Sequence, residues 1–415
     1  MGDGDPLMAD TRTFQYAVRD RSGKIVKGRI EATNTAAVAN RLKTMGMAPV
    51  AINEVSTSGL QREITLPTLA DRVSLKDIAI MARQLATMVS AGLSLLRALT
   101  ILADQTESKS LARVLGRVRH DVENGLGLST ALGAHKDVFP PLMVNLVRAG
   151  ETGGFLEDAL VSVAENYEAE VKLRSTIRSA MTYPVMVFAM AILAVVGMLI
   201  FIVPVFQDMF AGLGGQLPLP TRVLVTLSHA MAWFAPVGLV LGVVFAWWWG
   251  KHRYDAGVRA RVDPLKLRMP VFGALFKKVA IARFSRNFGT MMGAGVPILQ
   301  ALDIVGETSG NWAIERAVAQ VKESVRNGHS LAGPLAEHPV FPPMVVQMIA
   351  VGEDAGALET MLAKISEFYD QEVQSTTEQL TSLIEPLMIA VLGAVIGGMI
   401  IALYLPIFNI FTLIE

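Results

Sequence analysis

Two glutamates are the sharpest candidates for chemistry in this chain. Glu151 and Glu353 sit in the same short pattern, G-E-x-x-G: Gly150, Glu151 and Gly154 in one place, Gly352, Glu353 and Gly356 in the other. Each pattern reads as a helix–helix turn. A carboxylate there can accept the backbone N–H groups that a helix N-terminus leaves unpaired, and it meets the positive end of the helix dipole. The expected role is structural, capping the helix that follows the turn. The spacing makes a weak case for a cation site built with Glu157, Glu165 or Glu170, and a weaker one for catalysis. Glu165, Glu168 and Glu170, with Glu367, Asp370 and Glu372 as counterparts, read as a solvated face rather than a partner surface.

Other chemistries lack their residues. The 415 residues include no cysteine, which excludes a disulfide scaffold, a Cys-ligated zinc site and a cysteine nucleophile. No G-x-x-x-x-G-K-[ST] phosphate loop occurs, since Gly23-Lys24 and Gly250-Lys251 are each followed by the wrong residue. The six histidines form no H-E-x-x-H, and no G-x-S-x-G elbow is present. The glycines around Gly150 lie between helices, so they are no dinucleotide fingerprint. No catalytic, cofactor-binding or metal-binding residue is assigned, and no cofactor is expected. Lys plus Arg (37) equals Asp plus Glu (37), which disfavours a nucleic-acid partner. Apolar residues make up 52% and charged residues 18%. That balance argues against disorder and for a chain partly dissolved in lipid.

The elements that hold the glutamates begin with the membrane. Three segments, 185–203, 223–249 and about 387–408, reach the roughly 20 apolar residues that a hydrocarbon core requires. They are expected as transmembrane helices over 184–206, 222–249 and 386–410. Trp247, Trp248 and Trp249 form an aromatic anchor at the end of the second. Lys172, Arg174 and Arg178 precede the first span, and Lys251, Arg253, Arg259, Arg261, Lys266 and Arg268 follow the second. The positive-inside rule then places the N-terminus and residues 250–385 in the cytoplasm, with the 207–221 loop and the C-terminus outside. No signal-peptide pattern is present. His229, the ionisable candidate within a span, reads as facing headgroups. Pro184, Pro204, Pro386 and Pro406 are expected to bound the helices at the membrane; a hinge role is the second reading.

The chain also repeats itself. Residues 83–125 align with 286–328 at an offset of 203, with 14 identities in 43 positions. Residues 139–206 align with 341–408 at an offset of 202, with 18 identities in 68. Chance gives about one identity in fifteen. The shared features are F-P-P from Phe139 and Phe341, G-E-x-x-G, L-E-x-x-L from Leu156 and Leu358, E-x-Y-x-x-E-V from Glu165 and Glu367, and the proline pairs. Each repeat is therefore a cytoplasmic domain feeding one span. The second span, outside the repeat, returns the chain so that both domains lie on one side.

Each domain, 75–182 and 278–384, reads as a six-helix bundle. Ile78, Met81, Ala82, Leu85, Met88 and Val89 form the apolar stripe of the first helix, which Gly92 ends. Pro140-Pro141 opens the fifth. The N-terminus differs. Residues 12–56 alternate as strand, strand, helix and strand, with a turn at Asp20 to Gly23 and a helix end at Gly46. Residues 1–11 form an expected disordered leader, 57–74 a linker and 250–277 a cytoplasmic connector. The fold class is mainly α and integral to the membrane: two repeated bundles, three spans and a small N-terminal α/β domain.

In order, spacing and duplication, these motifs closely resemble the platform-protein family of type II secretion and type IV pilus machines. The N-terminal string from Phe14, Tyr16 and Ala17 through Gly28 and Ala32 to Leu42, Gly46 and Pro49 is similar to that family's first domain. Ile384-Glu385-Pro386 and Tyr404-Leu405-Pro406-Ile407-Phe408 are similar to its last span. One departure is Thr35, which stands where the family usually has an acidic residue. The resemblance implies a non-enzymatic, homo-oligomeric hub in a bacterial inner membrane, in contact with lipid. Its implied partners are a hexameric secretion or pilus ATPase, pilin or pseudopilin subunits, and other inner-membrane assembly proteins. Glu151 and Glu353 match the family's conspicuous glutamates, with a structural or interfacial role implied. The rival reading is a small transporter or channel, which needs polar residues along a midplane path.

Overall fold

A computed structural model describes residues 12–19, 25–32, 35–44, 48–54, 73–211, 217–253 and 255–410. The expected leader, the turn at Asp20 to Gly23, the helix end at Gly46, residues 57–72 of the linker and 411–415 lie outside the described residues. The chain divides into two units, Met1–Ala70 and Asp71–Glu415.

In the first unit, strands β1 (Arg12–Arg19), β2 (Ile25–Ala32) and β3 (Ala48–Glu54) form an antiparallel sheet in the order β2-β1-β3. Phe14 pairs with Ile30 on one side and Glu54 on the other. Helix α1 (Thr35–Thr44) buries Val38 and Leu42 against Phe14, Ile30 and Ala32. The i, i+4 spacing of Val38 and Leu42 gives α1 a single apolar face to cover the sheet.

The second unit is helical throughout its described elements. The first bundle holds α2 (Leu75–Ser90), α3 (Leu95–Gln105), α4 (Lys109–Glu123), α5 (Leu128–Gly133), α6 (Pro141–Gly153) and α7 (Leu156–Gly197). A π-helical turn (Met198–Ile202) leads into α8 (Val203–Ala211), followed by α9 (Leu219–His252) and α10 (Ala256–Arg268). The second bundle holds α11 (Phe272–Gly293), α12 (Ile298–Thr308), α13 (Trp312–Arg326), α14 (Ala332–Ala336), α15 (Pro343–Asp354) and α16 (Leu358–Ile410).

Local sequence explains the helix starts. Ser74 and Asp77 make a capping box at α2, so two orphan N–H groups are satisfied reciprocally. The Ser108 hydroxyl accepts from Leu111 N–H at α4, and the Asn311 side chain from Ala313 N–H at α13. Pro141 and Pro343 occupy first-turn positions, where the missing N–H is no loss. Phe139 and Phe341, just before them, are buried as core anchors.

One hydrophobic core runs through both bundles. It joins Leu85, Phe139, Leu146 and Leu160 of the first to Phe284, Phe288, Ile349 and Leu362 of the second. Among the described residues, three helices are long and apolar enough to cross a membrane, within Leu156–Phe210, Trp233–His252 and Leu358–Phe408. They meet in a small cluster of Leu199, Val203, Met399 and Leu403, lined by Leu224, Val225 and Met231 from α9.

Three expectations are corrected. The prolines do not bound helices: Pro184 lies inside α7, Pro386 and Pro406 inside α16, and Pro204, the second residue of α8, lies within the helical run Leu156–Phe210. A proline removes one backbone bond, and flanking turns with their neighbours hold the helix together around it. The 250–277 segment is no plain connector. Its α10 docks on the second bundle, where buried Asp263 accepts Trp312 N–H at the start of α13 and pairs with Lys266. The 207–221 loop is partly helical, because α8 reaches Ala211 and α9 begins at Leu219.

Candidate functional site

The G-E-x-x-G turn joins α6 to α7 in the first repeat and α15 to α16 in the second. Its three positions have separate jobs. Gly150 and Gly352 allow the two helices to cross in contact. A Cβ at Gly150 would lie 2.5 Å from Ala159 Cβ and 3.0 Å from Leu156 Cα. At Gly352 it would lie 2.9 Å from Met361 Cγ and 3.1 Å from Leu358 Cα. Gly154 (φ +76°) and Gly356 (φ +65°) turn the chain in the left-handed region that side chains disfavour. Phe155 N–H then donates to Gly150 O, and Ala357 N–H to Gly352 O.

The glutamates cap a different helix from the expected one. Glu151 accepts the N–H groups of Leu128 and Ser129, the latter at 3.0 Å, at the start of α5. Glu353 accepts Leu331 N–H at 2.8 and 3.0 Å and Ala332 N–H at 3.4 Å, at the start of α14. Helix α5 begins without a side-chain cap of its own and α14 has only the Ser330 hydroxyl on Gly333 N–H at 3.3 Å, and in each a carboxylate more than 20 residues away caps the start. Bonds of a carboxylate to backbone N–H are charge-assisted and stronger than neutral ones. The motif therefore ties α5 to the α6–α7 hairpin and α14 to the α15–α16 hairpin. Among the described residues no group of three or more His, Asp or Glu could hold a metal ion.

A second constellation escapes the sequence reading. Where α7 crosses α11 and α16, Glu170 pairs with Arg283 at 2.6 Å and with Arg174 at 2.6 Å, and it lies 3.9 Å from Arg286. Arg286 also binds Asp370 of its own repeat. Asn166 donates to Asn287 at 3.1 Å and to Thr290 at 3.3 Å, and Asn287 donates to Thr308. Glu170 is thus not part of a solvated face. Its side chain is 13% exposed and forms a seam between repeats. Burial pulls the Arg283 guanidinium below its ordinary range, and Glu170 opposes that pull. The available signal was Arg83 aligning with Arg286 and Glu168 with Asp370. Arg83 makes the equivalent bidentate pair with Glu168, at 2.7 and 2.6 Å. That hydrogen bonding lowers the Glu168 pKa and raises that of Arg83. Tyr167 and Tyr369, at matching positions, are both raised by burial.

His229 sits at the second span with Nε2 3.1 Å from Gln207 Oε1. At the other end of α9, Trp248 stacks on His252, and Lys251 lies over Trp247.

Known proteins place this architecture. The family profile described as type II secretion system (T2SS), protein F matches residues 81–204 and again 284–406, one match per repeat. The N-terminal domain profile of the same protein matches residues 8–53. The type IV pilus assembly protein PilC of Myxococcus xanthus is 44% identical over 402 residues, 96% of this chain and 95% of that protein. PilC of Thermus thermophilus is also 44% identical, over 96% of this chain and 98% of its own length. The type II secretion system protein F of Xanthomonas campestris is 33% identical over 96% of this chain and 98% of its own. With both repeats and nearly the full length matched, the chain belongs to the type II secretion system protein F family, the platform proteins of type II secretion and type IV pilus machines.

Proposed function

We propose that this protein is the inner-membrane platform of a type IV pilus machine. In this reading it couples a hexameric cytoplasmic ATPase to the extraction and polymerisation of pilin. One observation carries the coupling. The last helix of each bundle continues without a break into its span, α7 over 42 residues and α16 over 53. At 1.5 Å per residue these are rods of about 63 and 80 Å. Force applied to the shared bundle core therefore reaches the bilayer through stiff elements rather than loops. The choice of pilus over secretion is supported by the 44% identity to the PilC proteins of Myxococcus xanthus and Thermus thermophilus, against 33% to the type II secretion F protein of Xanthomonas campestris.

The Lys and Arg residues beside the first and second spans support a cytoplasmic N-terminus and bundles and an extracytoplasmic C-terminus. The 12–56 domain, the bundles at 75–182 and 278–384 and the three spans are the units of this reading. A homo-oligomer in contact with other inner-membrane assembly proteins completes it. Gly150, Glu151 and Gly154, with Gly352, Glu353 and Gly356, set the hairpin angles from which both rods leave the core. The transporter alternative has less support: the buried hydroxyls of Thr221 and Ser228 are each bonded to a backbone carbonyl, so they do not line a polar path.

A clean deletion, complemented in trans, tests the assignment. Surface pili are counted by electron microscopy and secreted proteins assayed from the same cultures. Lost pili with intact secretion are expected. Intact pili with lost secretion would move the protein to type II secretion, and no change in either would sink the coupling reading.

A further inference from the structure

The two repeat spans carry the same defect near their ends, and the non-repeated span mends both. Pro406 lies inside α16 and has no N–H for the carbonyl four residues back, that of Ala402. The Thr221 hydroxyl of α9 donates to Ala402 O. In the first repeat the helix widens into the π turn, where Val203 N–H reaches back five residues to Met198 O. In that register the next acceptor, Leu199 O, would be served by residue 204, which is proline. The Ser228 hydroxyl of α9 donates to Leu199 O. Thr221 and Ser228 are 2% and 4% exposed, and seven residues apart, so two helical turns place them on one face of α9.

We propose that Thr221 and Ser228 form a clasp, by which the second span locks the proline turns of the first and third spans. Pro204 and Pro406 are then hinge points that the clasp holds closed. A carbonyl without a donor inside lipid is costly, so each hydroxyl favours one angle between its span and α9. Opening the clasp lets the segments beyond the two prolines swing relative to α9 while the bundles below stay packed.

The absence of cysteine makes the test direct. Spin labels are placed on the intact protein at Val205 and Phe408, both exposed and beyond the hinge turns. A second pair at Phe188 and Val391 lies on the bundle side of them. The Val205–Phe408 distance distribution is measured by pulsed electron resonance in lipid nanodiscs. Thr221→Val with Ser228→Ala should add a second population, the closed-to-open ratio falling about threefold per hydroxyl lost. The Phe188–Val391 distribution should stay fixed, and Thr221→Ser should restore the parent ratio at its position. In a Pro406→Ala background the helix regains its own donor, so Thr221→Val should have no further effect. An unchanged Val205–Phe408 distribution overturns the proposal. So does an equal Thr221→Val effect with and without Pro406, since the hydroxyl would then act through packing alone.

Discussion

The two repeats fold alike and differ where they meet. Arg83 and Arg286 occupy the same position, and each pairs with the acid of its own last helix. In the first repeat the partners stand in solvent, their side chains 39% and 45% exposed. In the second, Arg286 is 9% exposed and lies between Asp370 and the first repeat's Glu170. One turn earlier, Ile80 and Arg283 correspond. Ile80 lines an open cleft of about 810 Å³ between α2 and α7, with Thr377 and Glu378 of α16 at its edge. Arg283 is covered by α7. Below it, Leu173 packs with Leu275, Val279, Val373 and Leu380, and Ile177 lies against them. The counterparts of Leu173 and Ile177 on α16 are Ser375 and Gln379, which offer no apolar surface to fill the first groove. A duplicated bundle thus carries two copies of one groove. The sister repeat closes one, and the other stays open.

The largest expected effect tests that asymmetry directly. Arg286→Ala removes the covered cation that binds Asp370 and faces Glu170; Glu170 keeps Arg283 and Arg174 and Asp370 is 39% exposed, so the cost should be about 1.5–3 kcal/mol. Arg83→Ala removes an exposed pair and should cost less than about 1 kcal/mol. Thermal unfolding of the full-length protein in detergent reads both, and equal costs would break the comparison. Next comes the hairpin crossing. Gly150→Ala and Gly352→Ala overpack contacts of similar kind, at about 1–3 kcal/mol each. The cost should be larger at Gly150, where the fixed Ala159 Cβ lies at 2.5 Å; at Gly352 the nearest fixed atoms, Met361 Cβ and Leu358 Cα, lie at 3.0 and 3.1 Å.

Glu151→Ala and Glu353→Ala should each cost about 1–2 kcal/mol by uncapping a short helix. Hydrogen exchange by mass spectrometry should quicken over α5 in one variant and over α14 in the other. Exchange that quickens at α7 or α16 instead would return the glutamates to the helix that follows them. The smallest effect concerns pH. The Tyr167 phenol is held well above its ordinary value near 10 by burial. A raised pKa gives stability that is full below pH 10 and is lost as pH rises beyond it, by at most about 1.4 kcal/mol per unit. Tyr167→Phe should flatten the fall of Tm between about pH 10 and 11. Tyr369→Phe should flatten it less.

Much of the bundle architecture was legible because it rests on local periodicity. The apolar stripe of α2, the prolines opening α6 and α15 and the glycines of the hairpins each act within one or two turns. The capping role of Glu151 and Glu353 was legible in kind but not in target. A carboxylate beside a helix start has an obvious local partner, yet the hairpin carries it 22 residues back to Ser129. The prolines misled for a related reason. Local rules penalise a proline inside a helix, whereas Thr221 and Ser228, on a span outside the repeat, supply the bonds lost near Pro406 and Pro204.

The sequence by itself determined the properties that composition and period set: three apolar helices, a duplicated helical domain, no cysteine chemistry and membership of a recognisable family. Those depend on residue type and spacing alone. Tertiary structure decided which of two equivalent arginines is buried, which helix each glutamate caps, which groove is closed and which span mends the prolines. These depend on partners far apart in the chain, and for them a side chain's energy is set by what surrounds it.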